Sequence, residues 1–416
     1  MGIISRLLLY TKKISIDRTG AIGMKGFKFA GICAGIKKNG HKDLGLILCE
    51  KPAAAAALFT RNRVVAAPVV LGKETIKKGL CQAILVNSGN ANCFTGIQGL
   101  ADARQTAALV ASTFEIPQEQ VMVSSTGVIG APLPMDRFES AIPLLREEVS
   151  KGVLEDFAQA ILTTDTCQKI VSLTGHIDTP EGPKEFKVTG VAKGSGMIRP
   201  DMATMLAYVL TDADITAPDL HSALTAANER SFNRITVDGD TSTNDTLLCL
   251  ASGAGDACIR DEAALKVFQD LLEKVCFALG KMIVKDGEGA TKVIQIIVKG
   301  AKTQEDAFKA AEAIAHSNLV KTAIYGQDPN WGRITAAAGR SGAYVDPDKM
   351  DLYFEDIPLV INGCWLGIDA EKKAAQVMRA PEINLTLDLN LGDKTDSFLF
   401  CDFSENYVRI NASYRS

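Results

Sequence analysis

The stretch 193–210, Lys-Gly-Ser-Gly-Met-Ile-Arg-Pro-Asp-Met-Ala-Thr-Met-Leu-Ala-Tyr-Val-Leu, holds the residues best suited to chemistry. A Gly-Ser-Gly turn and Pro200 precede an apolar run that opens with the hydroxyl of Thr204. If the Ala203–Thr204 bond is cut, Thr204 gains a free α-amine that can act as the base for its own hydroxyl. The other interpretation is a loop that leads into a buried strand, where Thr204 is merely β-branched. Spacing alone leaves both open.

Signatures of other catalytic classes are missing from the sequence. The four histidines show no metal-binding spacing, and Gly194-Ser195-Gly196 is out of frame for a G-x-S-x-G nucleophile elbow. The ten cysteines contain no C-x-x-C pair and match no zinc pattern. Several, such as Cys49 and Cys249, lie in apolar runs, so we expect buried thiols in a reducing compartment and no metal site.

The composition is that of an ordinary globular protein. The chain has 416 residues, two to three typical domain lengths, and 47% of them are hydrophobic. Lys and Arg number 45 against 49 Asp and Glu, and only 6% of residues are aromatic, which argues against a nucleic-acid surface. Because no apolar run reaches a membrane span or a signal peptide, we expect a cytoplasmic protein without nucleic-acid or membrane partners.

Short β-branched runs alternate with longer helical patterns, which predicts an α/β fold of layered helices and mixed sheets. Thr303 is the expected N-cap of one helix, because Glu305 and Asp306 follow in its first turn. The segment 179–183, Thr-Pro-Glu-Gly-Pro, predicts a surface turn. The predicted strands are 44–49, 83–87, 187–192, 293–298, 383–389 and 397–401, and the predicted helices are 99–114, 261–284 and 303–316.

Nearly the whole chain resembles the ornithine acetyltransferase family, the glutamate N-acetyltransferases of the cyclic arginine pathway. The motifs that carry the resemblance are GFKFAGICAGIKK (26–38), VNSGNAN (86–92), SSTGVIG (124–130), TTDT (163–166), KGSGMIRPDMATML (193–206), FNRITVDGDTSTNDT (232–246), DGEGATK (286–292), YGQDPNWGRI (325–334) and YVRINASY (407–414). The resemblance implies a mixed-sheet layered α/β fold of the self-processing N-terminal-nucleophile type, with a DmpA-like architecture.

The resemblance also implies the activity. The precursor would cut itself between Ala203 and Thr204 into an α chain (1–203) and a β chain (204–416), which assemble as an α₂β₂ heterotetramer. Thr204 would then take the acetyl group from N-acetylornithine and pass it to glutamate in a ping-pong cycle. No cofactor is implied, although some members of the family also use acetyl-CoA as an acetyl donor.

An oxyanion hole is implied at Thr126 and Gly127, which would stabilise the tetrahedral intermediate. From the residues alone, Ser-Ser-Thr-Gly is an ordinary turn. Its glycine nevertheless suits a place where the backbone must approach a reacting carbonyl closely.

Further residues are implied to hold the substrate. Lys193 would bind the α-carboxylate or favour the neutral form of the Thr204 amine, although by itself it could be a surface lysine. Glu288 would meet the distal ammonium, and the alternative is a solvated turn carboxylate. Thr164 would contribute a hydroxyl, and the neighbouring Thr163 is the alternative source of this hydroxyl. The residues implied to complete the pocket are Asn411 and Ser416.

This sequence departs from the family pattern at two places. Where the family usually has Ala-Pro-Asn before Met-Ala-Thr, this chain has Arg199-Pro200-Asp201, and it ends in Ser416 where a Thr is usual. We expect Asp201 to slow self-cleavage by placing charge near the scissile bond, whereas Ser416 keeps a hydroxyl.

Two other classes of function remain open. A self-processing aminopeptidase or amidase would use the same Thr204 chemistry but pass the acyl group to water. A catalytically inactive binding or assembly protein would keep the fold, and Arg199 and Asp201 would then be the residues responsible. Acetylated glutamate as a product excludes the first alternative, and processing of the 44.4 kDa chain argues against the second.

Overall fold

The computed structural model describes residues 23–199 and 205–413. Within these ranges the chain forms two compact units. The N-terminal unit contains the described residues up to 233 together with 240–283, and the C-terminal unit contains 234–239 and 284–413. The predicted α and β chains are products of a cut rather than compact units, and their boundary falls inside the range of the N-terminal unit.

Strands and helices are interspersed along the chain. The strands are β1 (Phe27–Ile32), β2 (Leu44–Phe59), β3 (Leu80–Asn90), β4 (Val121–Val128), β5 (Lys169–Ile177), β6 (Lys184–Lys193), β7 (Leu206–Thr211), β8 (Asp214–Ile215), β9 (Ile235–Thr236), β10 (Thr246–Ala251), β11 (Cys258–Ile259), β12 (Val293–Ala301), β13 (Asp351–Phe354), β14 (Ile357–Ile361), β15 (Cys364–Trp365), β16 (Glu382–Asp388) and β17 (Lys394–Cys401). The α-helices are α1 (Ala67–Thr75), α2 (Gly96–Phe114), α3 (Met135–Glu148), α4 (Leu154–Ala160), α5 (Ala217–Glu229), α6 (Glu262–Lys285), α7 (Gln304–Ala315), α8 (Asn318–Tyr325), α9 (Trp331–Gly339), α10 (Ile368–Val377) and α11 (Glu405–Ala412).

The N-terminal unit is built on a mixed sheet with the strand order β4-β3-β2-β10-β7-β6-β5. The pairs β3/β4 and β10/β7 are parallel, and the others are antiparallel. The long strand β2 pairs with β1 through residues 44–49 and with β10 through residues 54–59. This arrangement confirms the predicted mixed sheet.

Both faces of β3 in this sheet are buried. Along β3, Ala83 and Leu85 join the core beneath α2 and α3, whereas Ile84 and Val86 join the core beneath α4. A strand that is covered on both faces can be apolar at every position, which explains the continuous apolar runs in the sequence.

The C-terminal unit has a second mixed sheet, ordered β15-β14-β13-β16-β12-β17-β9. The pairs β12/β16 and β17/β9 are parallel. Ile294, Ile296 and Val298 of β12 pack in one core with the apolar sides of α7, α8, α9 and α10. Strand β17 leads through a short connection to α11, the last helix of the described chain.

The structure confirms all the predicted strands and helices, with some differences in length. Thr303 caps α7 and its hydroxyl accepts a hydrogen bond from the Asp306 amide, as predicted. The surface turn at 179–183 joins β5 to β6, and the Gly182 amide donates to the Thr179 carbonyl at 2.9 Å. In the described ranges no helix is long and apolar enough to cross a membrane.

The prediction of buried thiols is only partly right. Six cysteines are buried, including Cys49 and Cys249. Four are exposed, because they lie in loops or in short edge strands rather than in the apolar strands that suggested burial: Cys33, Cys167, Cys258 and Cys364.

Candidate active site

The loop with the predicted cleavage position joins two neighbouring antiparallel strands. Lys193, the last residue of β6, pairs with Leu206, the first residue of β7. Ile198 forms an isolated bridge to Thr241, whose hydroxyl donates to the Arg199 carbonyl at 3.1 Å. The predicted residues Ala203, Thr204 and Ser416 lie outside the described residues.

Thr126 and Gly127 lie near the end of β4, which runs parallel to β3. Gly127 has φ +132°, and a Cβ there would lie 2.4 Å from the Gly89 carbonyl carbon. Gly89, its partner across the two strands, also has a positive φ. Only glycine tolerates this conformation and this close approach. The two strand ends therefore hold the Gly127 backbone in a fixed place beside Thr126.

Lys193 brings three of the candidate residues together. Its ammonium donates to Thr163 Oγ1 at 2.7 Å and to Thr126 Oγ1 at 3.3 Å. The residue is only 8% exposed, so the interpretation as a surface lysine is wrong. The structure therefore places a buried ammonium group against the Thr126 hydroxyl.

Asp165, for which the sequence predicted no role, connects the groups around Lys193. Its Oδ1 accepts from the Gly194 amide at 2.6 Å and from Lys169 Nζ at 2.7 Å. Its Oδ2 accepts from the Thr163 amide at 3.1 Å and lies 3.9 Å from Lys193 Nζ. The one carboxylate therefore holds the segment with Thr163 and the start of the 194–205 loop.

The charge on Asp165 is maintained against burial. The side chain is fully buried, which by itself would raise its pKa. The charges of Lys193 and Lys169 and the hydrogen bonds from Lys169 and Gly194 outweigh burial and hold the pKa well below the ordinary range. The carboxylate is thus ionised at neutral pH and keeps both lysines in place.

Thr163 and Thr164 have different partners. Thr163 accepts from Lys193, whereas the Thr164 hydroxyl forms a 2.7 Å hydrogen bond with the Ser195 hydroxyl. Both hydroxyls therefore contact residues that belong to, or adjoin, the loop after β6. Lys37 fixes the chain just before them, because its ammonium donates to the Leu162 carbonyl at 2.6 Å.

Glu288 and Asn411 form a second cluster, in the C-terminal unit. Asn411 on α11 donates from Nδ2 to Glu288 Oε2 at 2.8 Å. Glu288 is 9% exposed, so the interpretation as a solvated turn carboxylate is wrong. Gly289 has φ +71°, and a Cβ there would lie 2.6 Å from the Tyr407 amide nitrogen. The glycine thus lets the turn after Glu288 approach α11 closely.

The residues that sequence reasoning missed were visible only as parts of motifs. Asp165 lies in the Thr-Thr-Asp-Thr motif, four residues before Lys169. Ser195 lies in the Gly-Ser-Gly turn. Nothing in the local pattern indicates that these segments meet. No cluster of three or more His, Cys, Asp or Glu side chains suited to a metal ion occurs in the part of the chain that the structure describes.

Known proteins are similar to this chain over nearly its whole length. The model of the ArgJ family matches residues 28–416. The arginine biosynthesis bifunctional protein ArgJ of Geobacter sulfurreducens is 48% identical over 397 residues, which cover 95% of this chain and 100% of that protein. The protein of the same name from Syntrophotalea carbinolica is 46% identical over 397 residues, with the same coverage of both chains.

Among solved structures, the arginine biosynthesis bifunctional protein ArgJ of Bacillus halodurans is 41% identical, covers 50% of this chain and 98% of its own, and has a TM-score of 0.48. The ornithine acetyltransferase of Mycobacterium tuberculosis, solved with ornithine, is 38% identical, covers 45% of this chain and 97% of its own, and has a TM-score of 0.40. The family model and the two full-length relatives are decisive, and they show that this chain belongs to the ArgJ family.

Proposed function

We propose that this protein is a glutamate N-acetyltransferase of arginine biosynthesis, which transfers acetyl from N-acetylornithine to glutamate. The observation that carries the proposal is the match to the ArgJ family over residues 28–416, with relatives nearly half identical along their whole length. The contact of the buried Lys193 with Thr126 supports it, since an acyl transferase needs a donor-rich place for an oxyanion. The aminopeptidase alternative is not favoured by these relatives.

The first step of the proposal is self-cleavage. Thr204 Oγ attacks the Ala203 carbonyl, its proton passes to the departing Thr204 nitrogen, and the amide becomes an ester. Water then hydrolyses the ester, which leaves the Ala203 carboxylate and a free Thr204 amine. The described segment before this bond is anchored at Gly194 by Asp165 and at Ile198 by Thr241, which supports a defined path of the chain up to residue 199.

The second step is acetyl transfer. The Thr204 amine takes the hydroxyl proton while Oγ attacks the acetyl carbonyl of N-acetylornithine. Thr126 Oγ1 and the Gly127 amide stabilise the oxyanion, and the released amine of ornithine carries the proton away. The glutamate amine then attacks the acetyl-Thr204 ester, and the Thr204 hydroxyl is restored. The reaction needs no cofactor, and acetyl-CoA is a second acetyl donor if the enzyme is bifunctional.

The remaining roles are proposals from the family resemblance. Lys193 receives the α-carboxylate of the substrate, and Thr164 contributes a hydroxyl. Glu288 binds the distal ammonium of ornithine, with Asn411 and Ser416 completing the pocket. The hydrogen bond from Asn411 to Glu288 supports a shared role for these two. The cut chains assemble as an α₂β₂ heterotetramer in the cytoplasm, for which light scattering would give about twice the mass of the precursor.

The decisive experiment compares the wild type with Thr204→Ala and the matched Thr204→Ser. Intact mass measurement should show wild-type chains that end at Ala203 and begin at Thr204, whereas Thr204→Ala stays at full length. Mass spectrometry with isotope-labelled acetylornithine should show labelled acetylglutamate from the wild type, less from Thr204→Ser and none from Thr204→Ala. Amine release without acetylglutamate would support the amidase, and an uncut, inactive wild type would support the binding protein.

A further inference from the structure

Asn244 is a buried asparagine just before β10, and the steps above give it no role. Its Nδ2 donates to the Ala91 carbonyl at 2.6 Å and to the Ser125 carbonyl at 2.8 Å. Its Oδ1 accepts from the Thr243 hydroxyl at 2.7 Å. Both hydrogens and the oxygen of the amide group are therefore used in the interior, which fixes the orientation of the side chain.

The two carbonyls that Asn244 binds belong to neighbouring segments of the N-terminal sheet. Ala91 directly follows β3, and Ser125 lies in β4, the first strand in the order of that sheet. The regular pairing of β3 with β4 breaks at Asn90, where the register shifts. The Asn244 amide group therefore joins the two strands at the place where their own pairing is irregular.

The contact with Ser125 lies next to the proposed oxyanion hole. The Ser125 carbonyl belongs to the same peptide group as the Thr126 nitrogen, and the Gly127 amide belongs to the next peptide group. Because a peptide group is planar, a hydrogen bond that holds this carbonyl also fixes the plane from which Thr126 and its side chain start. Lys193 contacts the hydroxyl at the end of that side chain. Asn244 thus acts within two peptide groups of both proposed oxyanion donors.

The side chain of Ser125 is held as well as its carbonyl. Its hydroxyl donates to Asn87 Oδ1 at 2.6 Å, and Asn87 Nδ2 donates to the Asn90 carbonyl at 2.8 Å. Ser125 and Asn87 are both buried. The residue before Thr126 is therefore bound by two buried amide side chains, which restrain it without placing a negative charge near a developing oxyanion.

We propose that Asn244 is a positioning residue of the oxyanion hole: its neutral amide group binds the end of β3 to β4 and so keeps the Thr126 hydroxyl and the Gly127 amide in fixed positions. The inference rests on the proposed function, because it takes these two groups as the oxyanion donors. Such donors are effective when they are oriented before the reaction, since no energy is then spent on turning them during it. Asn244 follows the proposed cut and Ser125 precedes it, so this contact would join the two cut chains.

The test compares Asn244→Ala with the control Thr189→Val, with kcat expressed per cut chain. Thr189 is a buried residue of β6 whose hydroxyl forms a 2.7 Å hydrogen bond with that of Ser172. Asn244→Ala should lower kcat by about 10- to 10²-fold with KM nearly unchanged, because misplaced donors weaken the transition state rather than substrate binding. Thr189→Val also loses a buried hydrogen bond but should keep its kcat. Asn244→Ser keeps one donor, should lose less, and replaces Asn244→Ala in every comparison if that variant does not fold.

A double-mutant comparison separates positioning from a general loss of structure. In Thr126→Ala one of the positioned donors is already absent, so the factor by which Asn244→Ala lowers kcat should be at least about threefold smaller there than in the wild type. Equal factors in the two backgrounds would overturn the inference.

Hydrogen exchange gives a readout that does not depend on activity. The amides of residues 121–130 should exchange faster in Asn244→Ala than in the wild type, and at the wild-type rate in Thr189→Val. Unchanged exchange of this segment in Asn244→Ala would also overturn the inference. A wild type without acetyl transfer would instead overturn the proposed function and leave the exchange measurement valid.

Discussion

The carboxylate of Asp165 accepts a hydrogen bond from the backbone amide of Gly194 at 2.6 Å, although 29 residues separate them. This bond attaches the start of the 194–205 loop to the segment that carries Thr163 and Thr164. Since Lys193 immediately precedes Gly194, the same carboxylate fixes both the direction of the loop and the position of the ammonium beside Thr126.

Removing the charge of Asp165 should destabilise the N-terminal unit. Asp165→Asn leaves the buried Lys169 and Lys193 without their counter-charge, for which we expect a loss of about 3–5 kcal/mol in the free energy of unfolding. The folded pKa of Asp165 is depressed, so its contribution is present above the unfolded pKa of about 4 and is lost as the pH falls through the folded value. Urea unfolding at several pH values should show the wild type and the variant converging in acid.

The control for this experiment is an exposed ion pair of the same unit. Asp214 lies 2.6 Å from Arg260, and both side chains are nearly half exposed. Asp214→Asn should cost no more than about 1 kcal/mol, because water screens the pair. Equal losses in the free energy of unfolding for the two variants would show that the buried charge of Asp165 contributes no more than an exposed ion pair.

Loss of the Thr126 hydroxyl should slow chemistry rather than weaken binding. Thr126→Ala should lower kcat by about 10²–10³ with little change in KM, the usual effect of removing one oxyanion donor. Thr126→Ser keeps the hydroxyl and should retain most of the activity. Steady-state acetyl transfer, together with the fraction of cut chain on a gel, measures both steps. A normal kcat in Thr126→Ala would mean that Thr126 has only a structural role and does not stabilise the oxyanion.

Gly127→Ala should be far more damaging than Gly130→Ala in the loop that follows. Both glycines have positive φ, which costs an alanine about 1–2 kcal/mol. Only at Gly127 would the new Cβ meet the backbone of Gly89, whereas nothing lies within 4 Å at Gly130. We expect a loss above about 4 kcal/mol for Gly127→Ala in urea unfolding. Similar midpoints for the two variants would contradict the close approach of the strands.

Glu288→Gln should affect the two half-reactions differently. Ornithine ends in an ammonium and glutamate in a carboxylate, so a negative charge at Glu288 favours only the first. The loss in kcat/KM should be larger for acetylornithine than for glutamate by about 1–3 kcal/mol, the scale of one charge-assisted hydrogen bond. Glu405→Gln, exposed at the start of α11, serves as the control. Equal losses in both half-reactions would mean that Glu288 binds a feature shared by the two substrates.

Features that depend on neighbours in sequence were predictable. The cap of α7 at Thr303 needs only the next three residues, and the structure confirms it. Strand β2 shows the limit of local patterns, because its second half contains the run Ala53–Ala57, which by propensity favours a helix. Pairing with β10 overrides that preference, and Pro52 lies where the register to β3 shifts.

In the candidate site, too, some residues could be found from the sequence and others could not. The Thr126–Gly127 and Lys193 motifs could be found from sequence because the family resemblance carries them. Asp165 could not be assigned a role, since its contact with Gly194 joins segments 29 residues apart. Local patterns carry no information about which distant segment will supply a partner.

The order β2-β10-β7-β6 has a consequence for the life of the protein after a cut between β6 and β7. Strands β10 and β7 would then belong to one polypeptide and would lie between two strands of the other. In the uncut chain all four strands belong to one polypeptide, so their pairing is intramolecular and does not depend on protein concentration. Once the chain is cut and denatured, refolding requires two separate polypeptides to meet. One of them must then insert β10 and β7 between β2 and β6 of the other. Refolding of the cut protein would therefore depend on its concentration, whereas refolding of the uncut chain would not.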